Sequence, residues 1–244
     1  IKCRTAGMFP DALVLVATIR ALKYHGGQSL DSLSSPSVEH LAAGFSNLEH
    51  HIRNARQFGL DPIIAINKFN TDTDQETDLL IELCEDAGVT AVVCDSWAKG
   101  GEGAVNLARA VEKSLNKPAT EARFIYPSDA RYEEKIETLA CNFYGASAVE
   151  FSAAAKRKLH FLEAHLGTSM LICMAKTQKS ISDDPSRLGS PSNYTFQISD
   201  IEVSAGAGFI VPVAGAMMRM PGLPSKPAAK QISLDDDGNI SGLF

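Results

Sequence analysis

The sequence predicts an α/β fold in which parallel sheets are covered by helices on both faces, as three-layer domains. Short apolar, β-branched segments alternate along the chain with segments whose apolar residues recur at helical spacing. The strand segments are apolar throughout, which is typical of strands buried on both faces of a parallel sheet. Strands that alternate with helices imply right-handed crossover connections.

The first elements are predicted between residues 12 and 57. The apolar run at 12–18 predicts a buried strand, and the segment at 20–27, which ends in two glycines, is interpreted as a strand-end connection. Ser35 stands immediately before a proline, a pattern typical of an N-cap followed by the first helical residue. Apolar residues then recur at helical spacing, so a long amphipathic helix is predicted to end near Gln57.

Two further units of strand and helix follow in the same order. Thr73 and Glu76 have the S/T-x-x-E spacing of a capping box, in which each side chain bonds a free amide of the other residue. A helix is therefore predicted to begin there, and Gly88 is predicted to end it in the left-handed conformation. The remaining elements of this part are strands at 62–66 and 90–94 and a helix over 104–115.

Beyond residue 116 the pattern is less regular, and a domain boundary is expected between residues 120 and 145. Helices are predicted over 132–143 and 153–164, and a polar loop rich in serine, aspartate and proline over 180–194. Short strands are predicted at 124–126, 148–151, 170–175, 195–203, 208–213 and 232–234.

Composition excludes several classes of protein. The chain has 244 residues and a formal net charge of -6, which argues against a general nucleic-acid binder. No apolar run is long enough to span a bilayer. Five cysteines at scattered spacings favour free, buried thiols over a disulfide framework. We therefore expect a cytoplasmic protein with no nucleic-acid or membrane partner, although the matrix of a mitochondrion or plastid fits the composition equally.

The first residues are unusual for a complete chain. Ile1 stands where an initiator methionine is usual, and the residues after it form neither the basic n-region nor the apolar h-region of a signal peptide. We therefore expect the chain to start inside a fold, as one part of a longer protein.

Two aromatic residues follow neighbouring predicted strands. Phe69 comes after the strand at 62–66, and Trp97, the single tryptophan of the chain, comes after the strand at 90–94. Open α/β sheets bind ligands at the carboxyl ends of their strands. The two rings are therefore candidates for gripping a flat heterocycle between them. The alternative is that each ring covers the hydrophobic core.

The loops that carry these rings are similar to nucleotide-reading elements. Asn67–Lys68–Phe69–Asn70 is similar to the N-K-x-D element with which P-loop GTPases read guanine, and Ser96–Lys99 to their S-A-K element. Asn70 stands where aspartate accepts from the base, so guanine specificity is not expected. Any doubly wound domain would account for the same placement.

Glycines follow the second aromatic. Gly100, Gly101 and Gly103 open a predicted helix, where backbone amides can approach an anion; a tight turn is the alternative. The chain has no P-loop, no dinucleotide fingerprint, no G-x-S-x-G elbow and no zinc-binding spacing of cysteine or histidine. The sequence therefore identifies no metal ligand, and it leaves the catalytic residues unknown.

Other polar residues are given structural interpretations. The neighbours His50 and His51 are expected at the surface because adjacent residues of a helix face different directions. His25 lies at a predicted strand end and is better placed for a function than the other histidines, but a structural role is favoured for it too. Asp72 and Asp74 are expected to cap a helix.

Longer motifs, spread in order along essentially the whole chain, resemble those of one enzyme family. They read VATIRALKYHGG at 16–27, GFSNLE at 44–49, AINKFNTDTD at 65–74, WAKGGEG at 97–103, MAKTQ at 174–178, SAGAGFIV at 204–211, MPGLP at 220–224 and GLF at 242–244. On these motifs the chain is identified as a member of the formate–tetrahydrofolate ligase family, also called 10-formyltetrahydrofolate synthetase.

The resemblance implies an ATP-dependent ligase of one-carbon metabolism. Such enzymes join formate to tetrahydrofolate by way of formyl phosphate, which gives 10-formyltetrahydrofolate, ADP and phosphate. They need Mg²⁺ and respond to monovalent cations. Their fold is a P-loop NTPase-like α/β domain followed by two smaller α/β domains, and their glycine-rich phosphate loop lies in an N-terminal part that precedes the motifs found here.

The resemblance also implies an organisation for this chain. We expect the distal end of the P-loop NTPase-like domain at 1–46, a folate-binding α/β domain at 47–141 and a C-terminal α/β domain at 142–244. The expected partners are the small-molecule substrates, the missing N-terminal part and, in the full-length protein, further copies in a homo-oligomer. The chain alone is expected to be inactive.

Site residues carry over from the family by position. Phe69 and Trp97 resemble the aromatic pair that sandwiches the pterin ring, and Val93 would line that pocket. Lys99, Gly100, Gly101 and Gly103 would shape its edge. The cleft that faces the nucleotide would be bordered by Thr18, Arg20, Lys23 and His25. Asn70 occupies a place where some relatives carry proline, which puts the local loop shape in doubt.

Two other functions stay open at this point. The N-K-like loop would suit a module that binds purine nucleotides without hydrolysing them. A folded, non-catalytic remnant that self-associates through an exposed former interface is the other alternative.

Overall fold

A computed structural model describes residues 1–116, 123–215, 217, 225–236, 238 and 240–242 of the chain. Its α-helices are α1 (Lys2–Ala6), α2 (Ile19–His25), α3 (Val38–Gln57), α4 (Asp74–Asp86), α5 (Ser96–Lys99), α6 (Val105–Leu115), α7 (Tyr132–Thr138) and α8 (Ala153–Leu166). Its strands are β1 (Leu13–Ala17), β2 (Pro62–Asn67), β3 (Ala91–Cys94), β4 (Ala148–Phe151), β5 (Leu171–Ile172), β6 (Thr195–Ser204), β7 (Phe209–Ala214), β8 (Ser233–Leu234) and β9 (Ile240–Ser241).

The first sheet is parallel throughout and has the order β1-β2-β3. It confirms the three strands predicted before residue 95. The central strand β2 is buried over most of its length because helices pack on both of its faces. β1 is different: Val14 and Val16 are 39% and 64% exposed, so β1 is buried on one face only and the prediction of burial on both faces is wrong for it.

The segment predicted as a strand-end connection at 20–27 is the helix α2. Thr18 caps it, because its side-chain oxygen accepts a hydrogen bond from the amide of Ala21 at 3.2 Å. With only seven residues, α2 is too short for its apolar spacing to stand out in the sequence. The predicted cap of α3 is also displaced, since Ser37 rather than Ser35 accepts from the amide of His40.

Two glycines let α2 and α3 cross at backbone distance. A Cβ built on Gly44 of α3 would overlap the carbonyl oxygen of Leu22, and one built on Gly26 would overlap the carbonyl oxygen of His40. The crossing fixes α2 directly beside the end of β1. Both glycines lie within motifs on which the family resemblance depends.

The capping box predicted for α4 is present. Thr73 accepts from the amide of Glu76 at 3.2 Å, and the Glu76 carboxylate accepts from the amide of Thr73 at 3.1 Å. Gly88 follows the helix with φ of 72°, the left-handed conformation that glycine adopts without strain.

The second sheet is mixed and has the order β4-β6-β7-β5. β4 is parallel to β6 and β5 is parallel to β7, but β6 and β7 are antiparallel. The prediction of parallel sheets is therefore wrong for this pair. Only residues 205–208 join the two strands, and a parallel crossover needs a dozen residues or more.

Two predicted strands of this part differ from the structure. The segment at 124–126 is not a strand; its Tyr126 is buried, and the phenol oxygen accepts from the amide of Ile172 at 3.0 Å. The strand predicted at 170–175 is shorter, and a single bridge between Ala175 and Val213 continues it. The helix predicted over 132–143 is confirmed, with a π-helical last turn at Leu139–Phe143.

Buried apolar residues form two clusters, one around the first sheet and one around the second. The domain boundary predicted after residue 46 lies within α3, and the one after residue 141 lies within the π-helical turn. The five cysteines are free, as predicted; Cys84 is buried, whereas Cys3 is exposed, contrary to expectation.

Within the described ranges, every helix is too short or too polar to cross a membrane. The motif at 220–224 and the last two residues of the motif at 242–244 lie outside the described residues.

Candidate functional site

Three loops leave the first sheet at its carboxyl edge. Ala17 lies opposite Ile66, and Asn67 lies opposite Cys94, so the three strands end close together. The amide of Lys68 donates to the carbonyl of Cys94 at 3.1 Å and extends the pairing of β2 with β3 by one residue. The loop after β2 is therefore flanked by α2 on the side of β1 and by α5 on the side of β3.

Phe69 is presented by a turn that Asp72 closes. The amide of Asp72 donates to the carbonyl of Phe69 at 3.0 Å, and the amide of Phe69 donates to Oδ2 of Asp72 at 2.8 Å. The guanidinium carbon of Arg20 lies 5.5 Å from the centre of the Phe69 ring. The ring is 38% exposed, so it does not cover the core.

Asp72 is buried, and its role differs from the expected one. It closes the Phe69 turn, while Thr73 caps α4, so the prediction that Asp72 caps a helix is wrong. Burial raises the pKa of the Asp72 carboxyl, and Oδ1 has no hydrogen-bond partner among the described residues. The sequence signal that would have found this role is the aspartate three residues after Phe69, because aspartate side chains also bond backbone groups three or four residues earlier.

The other end of this loop is anchored by a buried ion pair. Nζ of Lys23 lies 2.9 Å from Oε1 of Glu76, and both side chains are fully buried. The same carboxylate accepts from the amide of Ser37 and from both the amide and the hydroxyl of Thr73. Burial acts to raise the pKa of Glu76, but the hydrogen bonds from Lys23, Ser37 and Thr73 lower it to about 2.

Trp97 lies on the single-turn helix α5, directly after β3, and its side chain is 82% exposed. Val93 is half-buried in β3 opposite Ile66. Nζ of Lys99 lies 3.0 Å from the carboxylate of Asp95 at the end of that strand. Phe69 and Trp97 thus follow adjacent parallel strands at one edge, and both are open to solvent.

The three glycines after Trp97 differ in whether the backbone conformation or the available space requires glycine. Gly100 has φ of 56°, and a Cβ on Gly103 would overlap the carbonyl of Asp95, so both serve the tight turn. Gly101 is different, because a Cβ there would have no neighbour within 4 Å. The fold alone therefore does not explain Gly101, whereas a ligand that approaches the backbone closely would.

A comparison with known families decides the relationship. The family model described as formate–tetrahydrofolate ligase matches residues 1–244. The chain belongs to the formate–tetrahydrofolate ligase family. This confirms the resemblance carried by the motifs.

Individual relatives agree with this assignment. A formate–tetrahydrofolate ligase of Arthrobacter sp. (strain FB24) is 48% identical over 246 residues, which cover 100% of this chain and 43% of the relative. One of Methylococcus capsulatus is 46% identical and covers 100% of this chain and 44% of the relative. One of Petrotoga mobilis is 46% identical over 98% of this chain and 43% of the relative. The chain spans less than half the length of these curated relatives.

Of the residues that the family resemblance assigned to a nucleotide cleft, three make internal contacts. Thr18 caps α2, Lys23 is buried against Glu76, and Nδ1 of His25 accepts from the amide of Gly189 at 3.2 Å. The fourth, Arg20, is exposed beside Phe69. Of these four residues, all of them in the described part of the chain, Arg20 is the one with a cation–π contact to the Phe69 ring.

A polar stripe on α3 joins the two sheet units, and the sequence analysis missed it. Asn47 donates to the carbonyl of Gly189, and His50 and Asn54 both donate to the carbonyl of Phe143, at 2.9, 2.7 and 2.9 Å. His50 is buried, so its predicted surface position is wrong. Polar residues at 47, 50 and 54 recur at helical spacing, which was the available signal.

No group of three histidine, cysteine, aspartate or glutamate residues in the described part of the chain is arranged to hold a metal ion. The Mg²⁺ that the family resemblance implies would not need such a group, because Mg²⁺ is usually held by substrate phosphates and only one or two protein carboxylates.

Proposed function

We propose that this chain is the folate-binding part of an ATP-dependent formate–tetrahydrofolate ligase. The observation that carries the proposal is the placement of Phe69 and Trp97 after adjacent parallel strands, with both rings exposed at the edge where such sheets bind ligands. The pterin ring of tetrahydrofolate would stack between them. Val93 would line this pocket, and Lys99 and Gly100 would shape its edge.

Stacking would supply orientation more than affinity. Each aromatic contact contributes about 0.5–1.5 kcal/mol beyond the burial of area. The gain lies in geometry, because a folate held in one orientation presents its amine to an acyl phosphate already in place, and such proximity lowers the barrier. Gly101 supports this role, since it leaves room for a ligand against the backbone.

The chemistry of phosphate transfer is assigned to the rest of the longer protein. That part would supply the phosphate loop, and residues 1–46 would complete a P-loop NTPase-like domain with it. The exposed apolar face of β1, with Val14 and Val16, supports packing of further polypeptide on this sheet. The nucleotide cleft, the metal ions and a homo-oligomer in the cytoplasm belong to this proposal for the full-length enzyme.

Titration with tetrahydrofolate tests the proposal, because Trp97 is the single tryptophan and reports without background. We expect saturable quenching of its emission, and weaker binding by a Phe69→Ala variant. Phe161→Ala is the matched control, since Phe161 is also exposed but lies on α8. No change in emission at millimolar folate, with the circular dichroism of a folded chain, would contradict the proposal.

Nucleotides separate this function from its alternative. A chain that binds GTP more tightly than tetrahydrofolate in calorimetry would be a purine-nucleotide module instead.

The chain alone is expected to show neither ligase nor ATPase activity. In the full-length enzyme, Trp97→Ala is expected to raise the KM for folate much more than the KM for ATP.

A further inference from the structure

The order of the first sheet places three side chains in a row. Arg20 follows β1, Phe69 follows the central strand β2, and Trp97 follows β3. Neighbouring strands lie about 4.8 Å apart. Phe69 therefore has Arg20 on the side of β1 and Trp97 on the side of β3.

Arg20 is in contact with the Phe69 ring. The guanidinium carbon is 5.5 Å from the ring centre, within the range of a cation–π contact. In the described part of the chain, Arg20 forms no ion pair that would draw it elsewhere. A planar guanidinium packs on an aromatic face, which an ammonium group does less well.

The ring cannot easily leave this position. Asp72 holds both the amide and the carbonyl of Phe69, and the following helix is anchored through Glu76 to Lys23 on α2. Arg20 is on the same helix, three residues before Lys23. The backbone of Phe69 and the group that covers its ring are therefore fixed to one rigid element.

We propose that Arg20 is a positioning residue that backs the Phe69 ring, so that a reduced pterin stacks only on the side that faces Trp97. This inference rests on the proposed function and adds a third layer to the stack. Arg20 acts through Phe69 and does not contact the folate itself. The competing role for an exposed arginine is a direct contact with the carboxylates of the folate tail.

A double-mutant cycle distinguishes these two roles. The dissociation constant for tetrahydrofolate is measured by Trp97 emission for the unaltered chain, Arg20→Met, Phe69→Ala and the double variant. A cation–π contact at an exposed site predicts binding about two- to five-fold weaker in Arg20→Met. In the Phe69→Ala background, loss of Arg20 is expected to have no further effect.

A pterin that lacks the glutamate tail of folate provides a second test. With 6-methyltetrahydropterin, which has no glutamate, Arg20→Met is expected to weaken binding by the same factor as with tetrahydrofolate. Arg20→Lys is expected to recover part of the loss. Arg157→Met is the matched control, because Arg157 is exposed on α8 and the charge change is identical.

Failure of the positioning role of Arg20 can be distinguished from failure of folate binding. Additive losses in the cycle, or an effect confined to the ligand with a tail, would show a direct contact and overturn the positioning role. If the unaltered chain binds folate and Arg20→Met binds it with the same dissociation constant, the positioning role is overturned as well. A change in the stability of the variant alone would not rescue it. Absence of folate binding by the unaltered chain would overturn the proposed function and this inference together.

Discussion

The carboxylate of Glu76 joins three segments that are distant in the sequence. It receives Nζ of Lys23 from α2, the amide of Ser37 at the start of α3, and two groups of Thr73 at the start of α4. Such a pair is costly to bury and still more costly to break, because a lone buried charge has no compensation. Its value is that it fixes the geometry of the loop that carries Phe69.

Removal of the lysine is expected to destabilise the fold strongly. Lys23→Met leaves the Glu76 carboxylate buried without its cation, which costs about 3–5 kcal/mol. Lys68→Met is the control, because it breaks the exposed pair with Asp74 and is expected to cost only about 0–1 kcal/mol. Unfolding in urea measures both free energies. Equal losses in the two variants would contradict the assignment.

The pH dependence of stability follows from the same carboxylate. The pKa of Glu76 is lowered from 4.5 to about 2 on folding, so the unfolded chain binds more protons between these values. The stability that Glu76 contributes is complete above pH 4.5 and is lost as the pH falls towards 2. Glu76→Gln is expected to flatten the curve of unfolding free energy against pH in this window, and a curve of unchanged slope would argue otherwise.

At the scale of elements, local sequence was sufficient wherever an element carries its own signal. The capping box of α4 and the apolar run of β2 could be predicted because their determinants lie within a few residues. The helix α2 could not, since its seven residues are too few for an apolar spacing to stand out and its packing depends on a crossing with α3. The ion pair of Lys23 with Glu76 joins residues 53 positions apart, so the local sequence around either residue could not predict it. The placement of Phe69 and Trp97 after neighbouring strands was predicted from the order of the elements, whereas their exposure was not, because the sequence left open that each ring covers the core.

The glycine crossing of α2 and α3 gives an element-scale prediction. Gly44→Ala places a Cβ against the carbonyl of Leu22, so the helices must separate, at a cost of about 1–3 kcal/mol or more. Gly101→Ala meets no neighbour and is expected to leave stability unchanged while it weakens folate binding. Thermal unfolding and Trp97 emission together report both effects. A Gly44→Ala chain as stable as its parent would show that the helices are not in backbone contact.

At the scale of the whole molecule, α3 joins the two sheet units through polar contacts. Asn47, His50 and Asn54 bind main-chain atoms of residues 143 and 189, and His25 receives the amide of Gly189. Burial lowers the pKa of both His25 and His50 below 6.5. At His50 the hydrogen bond to the carbonyl of Phe143 favours the protonated ring, whereas burial, which is the larger effect, and the positive charges of Arg53 and Lys176 oppose it.

The contacts between the two sheet units at His25 and His50 are expected to weaken in mild acid. The unfolded histidines bind protons near pH 6.5, whereas the folded ones do so only at lower pH, so stability falls as the pH drops below 6.5. Protonated Nδ1 of His25 can no longer accept from Gly189. Hydrogen exchange at the Gly189 amide is therefore expected to lose protection as the pH falls below 6.5 and His25 becomes protonated.

A histidine variant controls this measurement. His25→Ala is expected to expose the Gly189 amide at every pH, whereas His165→Ala, on the exposed end of α8, leaves its protection unchanged. Protection of Gly189 that stays constant across this range in the unaltered chain would contradict the role of His25.

The contacts of α3 have a consequence for how this chain can change during evolution. Because Asn47 and Asn54 donate to carbonyl oxygens, which every residue possesses, a substitution at position 143 preserves its acceptor as long as the path of the chain is kept. Position 189 is different, because its φ of 67° favours glycine. Insertions or deletions near these positions would instead shift the acceptors out of reach. These hydrogen bonds therefore tolerate a change of residue at position 143 but not a change in the length of the chain there, whereas the loop at Gly189 is constrained in both.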